Sequence, residues 1–291
     1  MSAAIVIALF AHYATVMAVF GASAFRLLMP RASDANVIDG RLRPLLVAGA
    51  FFAVVSAVVL TMLEAASMTG DWRAAANFET IGAVLTETSF GRVWCWRLGL
   101  TVVVAVSASI TRPRAPWIAL SAAALLATLA LVGHAAMVEG FAGDLRRLAQ
   151  AVHLLAGGAW IGGAIPLALV LASARHDPKS AIPVLLRFSF YGAVAVLLIL
   201  ASGMVNAIAL VGTWSALTGT DFGVTLLAKL ALVAILITVA SINRLVLVPA
   251  LERESELALQ RLRGLVAFEI ALGALVVLVA SRLGTLLPPG A

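Results

Sequence analysis

Long, almost uncharged apolar runs narrow the possible folds of this chain more than any other feature of its sequence. A helix rises about 1.5 Å per residue, so roughly 20 apolar residues cross a hydrocarbon core of about 30 Å. Runs of that kind recur at about 3–28, 45–63, 92–110, 117–138, 148–172, 188–212, 223–247 and 265–287. In lipid every backbone N–H and C=O must find a partner within the protein, and a run this long satisfies its own as a helix. The expected fold is therefore all-α, a polytopic membrane bundle of eight transmembrane helices, with residues 1–291 forming one integral-membrane domain. Composition agrees: 12% of residues are charged, against roughly 25% in soluble domains.

Arginine and lysine assign the orientation. Arg26, Arg31, Arg41 and Arg43 flank the first connection, Arg112 and Arg114 the third, Arg175, Lys179 and Arg187 the fifth, and Arg244, Arg253, Arg261 and Arg263 the seventh. The even connections hold only Arg73, Arg92, Arg97, Arg146 and Arg147. Cations accumulate on the cytoplasmic side, so both termini are expected in the periplasm. The net charge of +6 is then a topological signal and calls for no nucleic acid. The first run lacks a positive leader segment and is followed by arginines, as expected of a retained helix rather than a cleaved signal. A single cysteine, Cys95, leaves no internal disulfide and no Cys-x-x-Cys site.

Polar groups within apolar spans are functional candidates by default. His134 and His153 flank one short connection, "GHAAMVEGFAGDLRRLAQAVH". The fourth and fifth spans should therefore be antiparallel neighbours with the two imidazoles at similar depth. Met137 lies three residues beyond His134, on the same helical face. His12 falls about 14 Å into the first span at helical rise, deeper than the pair. Met62, Met204 and Asn206 share the outer half of the bundle, and His176 lies in an inner loop. Imidazole with thioether suits copper: sulfur selects Cu(I), and imidazole accepts Cu(I) or Cu(II). Two histidines at one depth on adjacent helices also suit a b-type haem with bis-His ligation, a membrane electron carrier being the alternative.

Other polar features have simpler readings. Trp94, Trp96 and Arg97 are expected as interfacial anchors of the third span. Lys229 is expected to pair with Asp221 or Glu64, and Glu269 with Arg244 or Arg261. Gly158 and Gly162 are spaced for close helix packing in lipid. His12 and Gly21 have the same separation as His153 and Gly162, which leaves a four-plus-four parallel repeat open. No Walker phosphate loop, His-Glu-x-x-His or Gly-x-Ser-x-Gly is present, and no enzyme activity is expected.

Across nearly its whole length the chain resembles the copper resistance protein D family (CopD, also PcoD). The segments that carry the likeness are "TSFGRVWCWR" (88–97), "GHAA" (133–136), "HLLAGGAWIGGAIPL" (153–167) and "SGMVNA" (202–207), followed by "TDFGVTLLAKLALV" (220–233), "INRLVLVPAL" (242–251) and "LGTLLPP" (283–289). The resemblance implies eight helices in the bacterial inner membrane and a role in copper transport, homeostasis or resistance. It also implies a small periplasmic copper-binding partner of the CopC type. Carried onto this sequence, it points to His134, His153 and His12 as copper ligands.

Overall fold

The structure, a computed structural model, describes residues 1–29, 35–133, 139–174, 177–253 and 255–289. It is helical, with no strand among the described residues. In chain order the helices are α1 (Ser2–Leu28), α2 (Ala35–Thr69), α3 (Phe78–Glu87), α4 (Ser89–Ile110), α5 (Pro116–Ala127) and α6 (Gly140–Gly157). They continue as α7 (Gly163–Ser173), α8 (Ile182–Val211), α9 (Trp214–Gly219), α10 (Asp221–Ile242), α11 (Val248–Ala250) and α12 (Ser255–Leu283).

Seven helical segments among the described residues are long and apolar enough to cross a membrane: Ser2–Leu28, Asn36–Thr69, Ser89–Ile110, Gly140–Ser173, Pro178–Val211, Asp221–Ala250 and Glu256–Leu283. The eighth expected span, 117–138, is a shorter apolar helix, Pro116–Leu131. Its last turn tightens to 3₁₀ over Thr128–Leu131, Val132 is extended, and Gly133 takes a left-handed φ of 69° that ends the helix. The described helix thus ends at Leu131, short of the expected end of the fourth span, and His134 lies outside the described residues. The fifth span begins earlier than expected, at Gly140, so His153 lies about 20 Å along the helix axis from that start at 1.5 Å per residue.

Two spans carry π turns, and each precedes a proline. Gly158–Gly162 joins α6 to α7 ahead of Pro166, and Asn243–Leu247 joins α10 to α11 ahead of Pro249. Proline has no N–H to return to the carbonyl four residues back, and a wider turn absorbs the break.

α1 is the central helix, packing on α2, α5, α7, α12 and the Gly158–Gly162 turn. Glycine makes this possible. A Cβ added to Gly21 would come within 2.2 Å of the Gly158 carbonyl oxygen, and one added to Gly162 within 2.1 Å of the Met17 carbonyl. Backbone meets backbone there, as the Gly158/Gly162 spacing led us to expect. At the far end of α1, Arg26 is buried and its Nε donates to Asp39 Oδ1 at 2.6 Å, pinning α1 to the start of α2.

Candidate functional site

Among the described residues, two polar clusters inside the bundle are centred on histidines. The first is fully sealed. His12 and Arg97 are both 0% exposed. An Arg97 terminal nitrogen lies 2.8 Å from His12 Nε2, and Ser56 Oγ lies 2.9 Å from His12 Nδ1. A guanidinium has only donors, so His12 Nε2 must accept, and its Nδ1 carries the hydrogen. The chain of bonds then runs from Arg97 to His12, from His12 Nδ1–H to Ser56 Oγ, and from Ser56 to the Ala53 carbonyl at 3.1 Å. The other terminal nitrogen of Arg97 donates to Thr128 Oγ1 at 2.7 Å and to the Leu125 carbonyl at 3.2 Å.

Trp94 closes this cluster. Its ring lies 4.8 Å from the Arg97 guanidinium carbon, and its Nε1 donates to Thr61 Oγ1 at 2.7 Å. Trp94 is 3% exposed, whereas Trp96 is 77% exposed. Trp94 and Arg97 therefore depart from the expectation of interfacial anchors, and of the three only Trp96 is exposed. Trp94, Arg97 and Thr101 follow one another at three- and four-residue spacing, which places them on a single face of α4 turned into the protein.

The second cluster is open at one nitrogen. His153, in α6, faces α8, with Nδ1 3.1 Å from Ser202 Oγ and 3.2 Å from the Ile199 carbonyl. A carbonyl only accepts, and the Ser202 hydroxyl is already donated to the Leu198 carbonyl, so His153 Nδ1 carries the hydrogen. Its Nε2 keeps a lone pair and has no hydrogen-bond partner among the described residues. Histidines that bind metals are commonly held this way, with the second nitrogen donating to a carbonyl that fixes tautomer and ring orientation. One turn away, Asn206 Nδ2 donates to Gln150 Oε1 at 2.8 Å, adding a second polar tie between α6 and α8. Gly203 lets the ring sit close to α8: a Cβ there would lie 3.3 Å from His153 Cε1, and the imidazole would have to give by a few tenths of an ångström.

His134 and Met137 lie outside the described residues, so the expected pairing of His134 with His153 is not visible in the geometry. His12, expected as a deeper third ligand, is engaged at both ring nitrogens. Among the described residues no three His, Cys, Asp or Glu side chains converge as a metal cluster. Met204 is 63% exposed on the bundle surface, and Met62 is partly buried.

Lys229 forms no ion pair with Asp221 or Glu64, contrary to the sequence expectation. Glu269 meets neither Arg244 nor Arg261; it accepts from Asn243 Nδ2 at 2.7 Å, both side chains being buried. Asn243 opens the Asn243–Leu247 π turn. Sequence reasoning missed Ser56, Thr128, Ser202 and Gln150, since small hydroxyls and one amide in apolar helices carry no distinguishing pattern. The available signal was Arg97 itself, a cation eight residues inside a membrane span that begins at Ser89.

Comparison with known proteins gives a consistent result. Residues 1–144 match the model of the copper resistance protein D-like N-terminal domain, and residues 182–283 match that of copper resistance protein D. The chain is 33% identical over 286 residues to the inner membrane protein YebZ of Escherichia coli K12, covering 96% of each chain. It is likewise 33% identical over 298 residues to copper resistance protein D of Pseudomonas syringae pv. tomato, covering 96% of this chain and 95% of that protein. A third relative, copper transport protein CutJ of Bacillus subtilis, is 30% identical over 186 residues, 60% of this chain and 34% of its own. No solved structure matches the chain. None of these names refers to haem, and nothing in the comparisons supports the bis-histidine cytochrome alternative.

Proposed function

The chain belongs to the copper resistance protein D family, and on that premise we propose that it is a copper permease of the inner membrane whose ion-binding site is built on His153. Copper is the cargo, not a resident cofactor. The observation that carries this reading is the asymmetry between the two histidines. His153 is oriented by Ile199 and Ser202 with Nε2 free, whereas Nε2 of His12 is taken by a guanidinium that cannot be deprotonated in a protein. His153 is therefore the ligand on the helical frame, and His12 serves as structure.

His134 and Met137, from the α5–α6 connection, complete the ligand set, with thioether favouring Cu(I) over Cu(II). Two of the relatives are named for copper resistance or copper transport, not for enzyme activities, and this chain acts likewise without catalysis. Its donor is a periplasmic copper-binding protein of the CopC type, met on the face where the arginine asymmetry places both termini and the α5–α6 connection.

Purified protein in liposomes that enclose a copper-responsive dye tests the reading. Copper added outside should reach the dye faster than in empty liposomes, and the excess should vanish in His153→Ala. Uptake equal to that of empty liposomes from correctly folded protein would overturn the permease. The topology has a separate check: a reporter active only in the cytoplasm, fused after Ala291, should be silent, and strong activity would invert the bundle.

A further inference from the structure

The two halves of the chain are built alike. In the first half α1, α2, α4 and α5 pack in succession, and in the second α6–α7, α8, α10 and α12 do the same. α1 packs on α5 as α7 packs on α12, and the halves join where α5 meets α6 and α12 meets α1. At the seam between α1 and α7, a Cβ on Gly162 would lie 3.1 Å from the Gly21 Cα. His12 precedes Gly21 by the same separation as His153 precedes Gly162.

Local structure repeats as well. "TSFGRVWCWRL" (88–98) and "TDFGVTLLAKL" (220–230) open α4 and α10 and align without a gap. Thr88 Oγ1 accepts from the Gly91 N–H at 2.8 Å, and Thr220 Oγ1 from the Gly223 N–H at 3.1 Å. Each threonine also donates to the carbonyl four residues back, Val84 and Ala216. Each glycine is pressed against the short helix before it, α3 in one half and α9 in the other. In both halves the histidine Nδ1 meets a serine one long helix later, Ser56 or Ser202, and that serine donates to its own helix. The same alignment superposes Lys229 on Arg97.

We infer that the bundle is a two-fold internal repeat about the Gly21–Gly162 seam, and that Lys229 stands before His153 as Arg97 stands before His12, as a releasable cationic gate on the Nε2 that takes copper. The gate rests on the copper reading of His153.

The two copies differ in the side chain that supplies the cation. Arg97 is tied down by Thr128 and Leu125, so His12 Nε2 stays engaged and the first cluster is a structural copy. Lys229 is half-buried and has neither a hydrogen bond nor an ion pair among the described residues. Its ammonium is a compact charge on a flexible stem, free to swing, where arginine's planar fork is fixed by several bonds at once. An ammonium and a copper ion cannot share one lone pair. In this structure Lys229 makes no bond to His153, so the Nε2 lone pair is open to copper; the ion is expelled when the ammonium swings into the position that Arg97 holds in the first half, which keeps the site strong enough to capture and weak enough to release.

Competition against a chromophoric Cu(I) chelator, on the full chain in nanodiscs, tests the gate with copper(I) as the probe. Lys229→Met should tighten binding roughly tenfold, and Lys229→Arg should weaken it by about tenfold or more by installing the lock of the first half. In metal-free protein, NMR of isotope-labelled imidazole nitrogens should show one Nε2 resonance displaced in Lys229→Met and absent from that displaced set in His153→Ala. If Lys229→Met is unstable, Lys229→Gln, which keeps a polar stem without the charge, carries the same comparison. Folded Lys229 variants with wild-type copper affinity and an unmoved Nε2 resonance, alongside a His153→Ala that has lost binding, would overturn the gate and leave the copper site standing. Wild-type affinity in His153→Ala would instead overturn the copper reading and the gate together.

Discussion

Replacing His153 with alanine is expected to abolish high-affinity copper binding while leaving the bundle folded. The imidazole Nε2 has no partner among the described residues, and on the proposed copper reading its removal takes away a direct ligand. The loss should exceed the roughly 10- to 100-fold that removal of an outer-shell partner typically costs a metal site. Ser202→Ala supplies that comparison within this protein. It removes one of the two acceptors that orient His153 Nδ1–H and leaves the Ile199 carbonyl in place, so its effect should fall in the 10- to 100-fold range or below. Stability should change little in either variant, because a hydrogen bond between membrane helices is worth only about 0.6 kcal/mol on average. Competition titration and thermal unfolding of the same samples check both halves of the expectation. A His153→Ala protein that binds copper normally would make His153 a clamp between α6 and α8.

His12→Ala should have the opposite signature, a large loss of stability with copper affinity unchanged within about twofold. The alanine leaves Arg97 as a buried charge deprived of one neutral acceptor, and losing a hydrogen bond to a buried charged group typically costs about 1.5–3 kcal/mol. The Arg97 Nε has no partner among the described residues even with His12 in place, so the guanidinium has no slack to absorb the loss. Removing the charge as well should restore much of the stability, since an apolar pair of similar volume avoids burying an ion. The double variant His12→Ala/Arg97→Met should therefore unfold at a higher temperature than His12→Ala alone. If His12→Ala keeps its stability and loses copper, His12 is a ligand and Arg97 yields to the ion.

Much of the architecture was legible in the sequence because lipid imposes a demand that any chain must meet segment by segment. Seven of the expected spans are long apolar helices for that reason, and Gly158 and Gly162 declared a close contact because no other side chain admits a backbone at that distance. The Thr88 and Thr220 caps were equally local, each lying three residues from the glycine N–H it accepts. Helix ends were less legible. Gly133 stops the fourth apolar helix and Gly140 starts the fifth, yet the apolar pattern runs across both positions without marking either.

The sequence by itself determined that this chain is a helical membrane bundle and where its helices approach most closely, and it put histidine forward as the candidate copper ligand. Tertiary structure alone decided which of His12 and His153 keeps a ring nitrogen without a partner among the described residues. His12 and His153 look alike in sequence, each followed at the same spacing by a glycine. They differ through Arg97, 85 residues from His12 along the chain and 2.8 Å from its Nε2. Whether a lone pair is occupied depends on which groups packing brings within hydrogen-bond range, and a one-dimensional pattern carries no record of contacts between segments so far apart.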